Sequence, residues 1–279
     1  MSIDRLAERV IVITGAGGGF GALVAEAAAG RGASVVGVDI DGEALARSFE
    51  ALVERGMSVA WRATDVSDLD DMRAMAAFAV ERFGRIDVMV NNAGIMPLAF
   101  FADHERAVDA WSRAVDVNIK GVINGIAAVY DQMITQGRGH VVNISSTYAN
   151  APTEGSGVYG ATKTAVNMIS ESLRVEAQGK IKVSIVRPTG VPTTGLGGGI
   201  VNQAAVIGMV GHHGKVANER MGQLFAGALP DECADPDSIG YFALDPRHVA
   251  EAVIHVIDQP WGVSISDITV RAAGEPYLL

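Results

Sequence analysis

The segment YGATK, residues 159–163, sets a phenol and an ammonium group one helical turn apart. Residues at i and i+4 share a helix face, so Tyr159 and Lys163 can meet in one environment. A phenol titrates at about 10 and is a poor base at neutral pH, whereas a nearby cation favours its phenolate. The pair reads either as ordinary helix surface or as a proton-transfer device, and the rest of the chain must separate the two. Upstream, NISS (143–146) carries hydroxyls and VNIKG (117–121) carries an amide.

A second constellation could hold an anion. TGAGGGFG, Thr14 to Gly21, follows VIVIT and opens into ALVAEAAAGRG. A glycine-rich turn between strand and helix lets the backbone approach a pyrophosphate. It also aims the helix N–H groups and positive dipole end at that anion. Gly15, Gly19 and Gly21 give the spacing G-x-x-x-G-x-G, with Gly17, Gly18 and Phe20 in the same turn. Asp39 ends the next strand pattern 18 residues after Gly21 and is followed by Ile40 and Asp41. A carboxylate there can accept both ribose hydroxyls of an adenosine and repels a 2′-phosphate. No basic residue follows to welcome that phosphate, so NAD is favoured over NADP. Asp65 and Val66 end a third strand, where a carboxylate can meet the adenine amino group. Asn92, Ala93 and Gly94 in NNAG (91–94) end a fourth, where small side chains permit close cofactor contact.

These groups need elements to carry them. VIVIT (10–14), SVVGVD (34–39), SVAWRATD (58–65), IDVMVNN (86–92), HVVNISS (140–146) and KVSIVRP (182–188) read as strands. Between them, segments 43–56, 68–84 and 164–179 repeat their apolar residues with helical period. Most strands are apolar on both faces, as in a parallel sheet covered by helices on each side. The β-α order predicts right-handed crossovers and a doubly wound α/β fold, with SDITV (266–270) closing one edge as a seventh strand. No linker or repeat interrupts the chain, so residues 1–279 are expected to form one domain. The stretch 189–240, rich in glycine and methionine, shows no strand and is expected to be a substrate-binding lid.

Together, TGAGGGFG, Asp39, NNAG, VNIKG, NISS and YGATK resemble the short-chain dehydrogenase/reductase family in its compact branch, from about residue 8 to 195. The resemblance implies a Rossmann-like, seven-stranded, mostly parallel sheet with helices on both faces. It implies that Tyr159 exchanges a proton with the substrate oxygen, and that Lys163 binds the nicotinamide ribose and lowers the tyrosine pKa. Ser146, 13 residues before Tyr159, is implied to hydrogen-bond the reacting oxygen in preference to Ser145. Asn118 is implied to hold a water in a proton relay from Lys163. Pro188, Thr189, Val191 and Thr193 fall where the family meets the nicotinamide carboxamide and phosphates. Thr189 stands where a glycine is usual, and a threonine disfavours positive φ, so this loop is expected to take its own path. The enoyl-reductase spacing of tyrosine and lysine does not match, nor does the glycine spacing of sugar-nucleotide epimerases.

The implied reaction is interconversion of a secondary alcohol and a ketone, with hydride moving to or from the nicotinamide. Tyr148, Met96 and Met209 are candidate substrate contacts, and the apolar run IVNQAAVIGMV (200–210) suggests a neutral, hydrophobic substrate. Gly160 and Ala161 are expected to keep the helix start clear for cofactor and substrate. The competing reading is a dinucleotide-sensing regulatory protein on the same fold without turnover. His212, His213, His248 and His255 lack metal-ligand spacing, so no metal is expected.

The chain has a net charge of −10 and no basic cluster, which argues against a nucleic-acid partner. Its apolar runs fall short of the ~18 residues of a membrane span, and MSIDRLAER has no signal-peptide core. One cysteine, Cys233, fits a reducing cytoplasm. The resemblance also implies a homotetramer or homodimer.

Overall fold

A computed structural model describes residues 4–278. Its elements run β1 (Val10–Thr14), α1 (Gly19–Gly30), β2 (Ser34–Asp39), α2 (Gly42–Glu54), β3 (Val59–Ala63) and α3 (Leu69–Phe83). Then come β4 (Val88–Asn91), α4 (His104–Val115), a π-helical turn Asp116–Lys120, α5 (Gly121–Thr135), β5 (Gly139–Ile144), α6 (Gly157–Glu176) and β6 (Ile181–Pro188). The chain closes with α7 (Ile207–Val210), α8 (Gly214–Phe225), α9 (Asp231–Ala234), α10 (Pro246–Ile257) and β7 (Asp267–Val270).

The strands form one sheet in the order β3-β2-β1-β4-β5-β6-β7, and every pairing is parallel. The expected mostly parallel sheet is thus wholly parallel. Strand order reverses between β1 and β4, so the crossovers leave a crevice at the strand C-termini there. Side chains alternate across the sheet with period two. Ile11 and Ile13 of β1 join Val24, Phe49 and Val253 on one face, under α1, α2 and α10. Val12 joins Met72, Val129 and Leu173 on the other, under α3, α5 and α6.

Local chemistry sets several boundaries. The Asp41 side chain accepts from Glu43 N and Ala44 N at the start of α2, and Asp68 accepts from Asp70 N and Asp71 N at the start of α3. Such caps satisfy orphan donors of the first helical turn. Asp245 caps α10, with Pro246 in its first turn.

The stretch 189–240 has no strand, but it is more ordered than its composition suggests. Short 3-10 turns at Gly195–Gly199, Gln203–Val206 and Gly211–His213 alternate with α7, α8 and α9. Four-residue helices are too short to show a 3.6-residue period. Helix α8 is long enough, but Ala217 is its one buried residue, so its apolar stripe is faint.

A very close approach in the core lies between β2 and α2. A Cβ on Gly37 would stand 2.0 Å from Cζ of Phe49, whose ring is fully buried. Gly37→Ala is expected to lower stability by about 1–3 kcal/mol through overpacking. Urea unfolding should show that Phe49→Leu recovers part of the loss; additive losses would mean that the two sites do not share this space.

Candidate active site

A cavity of about 1520 Å³ lies over the strand C-termini and reaches from the glycine-rich turn to Tyr159. At its first end, Gly15 has φ +66, and a Cβ there would lie 2.9 Å from Ala93 Cα. Only glycine lets β1 turn beneath the β4 loop in this way. Gly18 and Gly19 differ: a Cβ on either would meet nothing within 4 Å. Both face open cavity at the start of α1, where no side chain caps the helix. Uncapped N–H groups, a positive dipole end and bare glycines fit the pyrophosphate of a dinucleotide.

Asp39 lines the same cavity and binds the turn. Its Oδ2 accepts from Gly17 N at 3.0 Å and its Oδ1 from Asp41 N at 3.0 Å. Asp65 Oδ1 accepts from Ser67 N and Ser67 Oγ, which shapes the bend after β3. Thr14 Oγ1 accepts from Asn92 N and Ala93 N, and Asn92 Nδ2 donates to Thr14 O at 2.8 Å. The ends of β1 and β4 are thereby stitched together along the crevice.

At the other end, α6 carries YGATK in its first two turns. Tyr159, Lys163, Val166, Ser170 and Leu173 recur every three or four residues and are buried, so the phenol and ammonium lie on the face turned to the sheet. Lys163 Nζ donates to Ile144 O, the last carbonyl of β5, at 2.9 Å. It also lies 5.9 Å from the Tyr159 ring centroid. Ser146 lines the cavity near the Tyr159 phenol, which it pulls toward a lower pKa; its Oγ accepts from Tyr148 N at 3.2 Å. Ser145 lines the cavity too, but its Oγ is engaged in donating to Lys163 O at 3.3 Å.

Burial pushes the Tyr159 phenol up to about 12, and the Ser146 hydroxyl pulls the other way. Burial brings the Lys163 ammonium down to about 8. The sequence leads one to expect a phenol lowered by Lys163. In the protein alone, desolvation of the phenol outweighs any help from the lysine, which is itself desolvated and tied to a carbonyl.

Asn118 lies in the π-helical turn beneath the cavity wall. Its Oδ1 accepts from Ile95 N, and its Nδ2 donates to Ile95 O and to Thr162 Oγ1. Thr162 Oγ1 in turn donates to Tyr159 O at 2.7 Å. The amide therefore joins the loop after β4 to the backbone of Tyr159. Gly94 leaves little room here: a Cβ would lie 3.2 Å from Asn118 Oδ1 and 3.5 Å from Lys163 Nζ.

Gly15, Gly18, Gly19, Phe20, Asp39, Ile40, Asp65, Val66 and Asn92 to Gly94 all line the cavity, as do Pro188, Thr189 and Val191. Met96, Tyr148 and Met209 line it at the end nearest Tyr159. Gly17, Gly21, Asn118 and Thr193 do not. Gly21 packs against Gly15, where a Cβ would come within 2.2 Å of its carbonyl oxygen, and Thr193 is exposed while Thr194 lines the wall. Gly160 packs under Tyr148 O, where a Cβ would lie 3.0 Å away, and Ala161 is exposed; neither clears the cofactor's path. Thr189 avoids positive φ, for among the described residues only Glu8 combines a side chain with it. Thr189 N donates to Val270 O at 3.2 Å, continuing the pairing of β6 with β7.

Residue-by-residue reading misses three kinds of contributor. Asn91 Nδ2 donates to Asn143 Oδ1, and Asn143 Nδ2 to Ser170 Oγ, a buried polar chain under the site. The sequence signal was an amide at the same level of two strands now paired. Arg113, Asn218 and Phe225 line the cavity from helices that carry no motif. Tyr277 lines it from the far end of the chain, with no local signal at all. Among the described residues no group of three or more His, Cys, Asp and Glu could hold a metal.

Residues 9–210 match the protein family described as short chain dehydrogenase. Over 274 residues the chain is 32% identical to an uncharacterised oxidoreductase of Staphylococcus saprophyticus, covering 98% of this chain and 99% of that one. It is also 32% identical over 272 residues to the glycine betaine reductase ATRR of Emericella nidulans, covering 97% of this chain but 19% of that longer protein. A short-chain dehydrogenase/reductase from Burkholderia phymatum, solved with NAD, superposes with a TM-score of 0.74 at 28% identity, covering 95% of this chain and 89% of that one. A metagenomic short-chain oxidoreductase solved with NADP gives 0.71 at 26% identity, covering 98% and 99%.

Tyr148 stacks edge-on to Tyr159 with centroids 5.4 Å apart, and its buried hydroxyl has no hydrogen-bond partner among the described residues. An unpaired buried hydroxyl costs about 1–3 kcal/mol. Tyr148→Phe is accordingly expected to raise the melting temperature by a few degrees in calorimetry. A clear fall would show that the hydroxyl is paired in solution.

Proposed function

The chain belongs to the short-chain dehydrogenase family and is an oxidoreductase of it; on that premise we propose that it interconverts a secondary alcohol and a ketone, with NAD as the preferred hydride carrier. The observation that carries this reading is the meeting of Tyr159, Ser146 and Lys163 at one end of a cavity whose other end is a bare, glycine-lined helix N-terminus.

A bound nicotinamide dinucleotide supplies the hydride acceptor for an alcohol or the hydride donor for a ketone. Gly15, Gly18, Gly19 and Phe20 would hold its pyrophosphate, Asp39 and Ile40 its adenosine ribose, and Asp65 and Val66 its adenine. Asn92 to Gly94, Pro188, Thr189 and Val191 would hold the nicotinamide half. Tyr159 takes the hydroxyl proton as the carbinol carbon gives up its C–H bond with both electrons; in reverse it returns that proton to the carbonyl oxygen. The Ser146 hydroxyl donates to the same oxygen and stabilises charge developing on it. Lys163 holds a positive charge behind the phenol, and Asn118 keeps Tyr159 in place through Thr162.

Asp39 supports NAD over NADP. Its carboxylate is fixed beside the turn by Gly17 N and Asp41 N, where a 2′-phosphate would meet negative charge, and Ile40 and Asp41 offer no cation. Segment 189–240 serves as the lid, with Met209, Asn218 and Phe225 facing the cavity. The apolar lining of this end favours a neutral, hydrophobic substrate. Exposed Val108, Val115, Ile123, Met168 and Val175 on α4, α5 and α6 favour assembly into a homodimer or homotetramer. No helix among the described residues is long and apolar enough to cross a membrane, and the cytoplasm suits the lone buried Cys233.

Tyr159→Phe is expected to lower kcat by at least about 10²-fold while NADH binding stays near wild type in a fluorescence titration. Retained turnover would remove Tyr159 as the acid/base. With the phenol far above neutrality, ketone reduction should stay level from about pH 6 to 8 while alcohol oxidation rises toward about tenfold per pH unit, because only phenolate accepts the proton. A flat oxidation profile would count against that assignment. Parallel titrations should give tighter binding of NAD than of NADP, with the preference narrowed by Asp39→Ser; an NADP preference in the wild type would overturn the reading of Asp39.

A further inference from the structure

The tail after β7 is fastened to the end of β6 by side chains that belong to no motif. Thr189 Oγ1 donates to Glu275 Oε2 at 2.6 Å and also lies 3.3 Å from Val270 O. The other carboxylate oxygen, Oε1, accepts from Arg271 Nε at 2.8 Å. The Glu275 side chain is only 2% exposed, so this carboxylate has been taken from water and depends on these donors. Arg271 Nη2 donates to Tyr277 O at 2.9 Å, which carries the fastening one residue pair further.

The fastened tail reaches both the reacting end and the lid. Tyr277 packs directly on Gly190, where a Cβ would stand 2.3 Å from its ring and hydroxyl. It packs against the cluster of Leu98, Tyr148, Tyr159, Ala205 and Met209, and it lines the cavity. Leu278 N donates to Met209 O at 2.9 Å, joining the tail to α7. Glycine at position 189 would have no hydroxyl to offer Glu275.

Resting on the alcohol–ketone reading above, we infer that Thr189 and Glu275 form a clasp that docks the C-terminal tail and makes Tyr277 a specificity-determining wall for the apolar substituent of the substrate. Tyr277 supplies a rigid aromatic face beside the catalytic phenol. Thr189 and Glu275 are positioning residues that act through it. The substrate class follows: secondary alcohols or ketones with an aromatic or branched aliphatic substituent on the reacting carbon.

The experiment has two arms. In hydrogen–deuterium exchange of the full chain, Glu275→Ala and Thr189→Val should speed exchange across residues 272–278, while Thr189→Ser, which keeps the hydroxyl donor, should exchange like wild type. Unchanged exchange in Glu275→Ala and Thr189→Val overturns the clasp, even for a protein that turns over no alcohol. In the kinetic arm, 1-phenylethanol and 2-propanol are compared as substrates. Glu275→Ala and Tyr277→Ala should raise KM for 1-phenylethanol about tenfold, with a much smaller change for 2-propanol and with kcat for either altered little by Glu275→Ala. Equal changes for both alcohols, or a fall in kcat without a KM difference, overturn Tyr277 as the specificity wall. Wild type that oxidises neither, nor any alcohol of a wider panel, defeats the alcohol–ketone reading while the exchange arm still decides the clasp.

Discussion

An ammonium group buried at the end of a strand must be supplied with acceptors, and meeting that need organises the centre of this protein. Removing a lone cation from water costs several kcal/mol unless hydrogen bonds replace its hydration. Lys163 is 5% exposed and donates to Ile144 O at 2.9 Å. That carbonyl is the last of β5 and lies one residue beyond the end of the β4 pairing. A parallel sheet puts all its strand C-termini at one edge, so the glycine-rich turn, the β4 loop and the serines after β5 arrive beside the lysine together. The same burial raises the phenol of Tyr159 and lowers the ammonium of Lys163, which makes the pair responsive to whatever else enters the crevice.

The second level of the site is a set of amides that hold backbone segments and leave the reacting groups free. Asn118 ties Ile95 to Thr162 and so to Tyr159; Asn92 ties the β4 end to Thr14 and Gly15; Asn143 ties Asn91 to Ser170. The Asn118 and Asn143 amides donate and accept at once, and the Asn92 amide donates to two carbonyls, so each can join segments that have no regular ladder between them. The π-helical turn at Asp116–Lys120 belongs to this level. A widened turn shifts the helix register by one residue between α4 and α5, and such turns recur at functional sites. The third level is the covering formed by segment 189–240 and the tail. It meets the site through packing on Tyr148 and Tyr159, and its two parts are joined to each other by Thr189 with Glu275 and by Met209 with Leu278.

The strands were legible because their chemistry is repetitive and local. VIVIT and SVVGVD coincide with β1 and β2 residue for residue, since runs apolar on both faces fit only a covered parallel sheet. The turn glycines and YGATK were legible because spacing along one helix or one turn fixes relative position. Thr193 shows where such reading stops. A loop one residue out of step exchanges its inward threonine for Thr194, and nothing in VPTTG says which of the two faces the cavity.

Local periodicity and turn chemistry thus determined the order of elements, the doubly wound arrangement, the glycine-rich turn and the presence of tyrosine, lysine and serine at the ends of strands and the start of a helix. These depend on contacts within a few residues, which sequence spacing encodes directly. Only the tertiary structure decided that burial outweighs the lysine's help to the phenol, that Asn118 is committed to Ile95 and Thr162, and that Tyr277 lines the cavity. The reason is physical: desolvation depends on everything packed around a group, and the partners of Thr189 and Asn118 are brought beside them by the folding of segments far away in the chain.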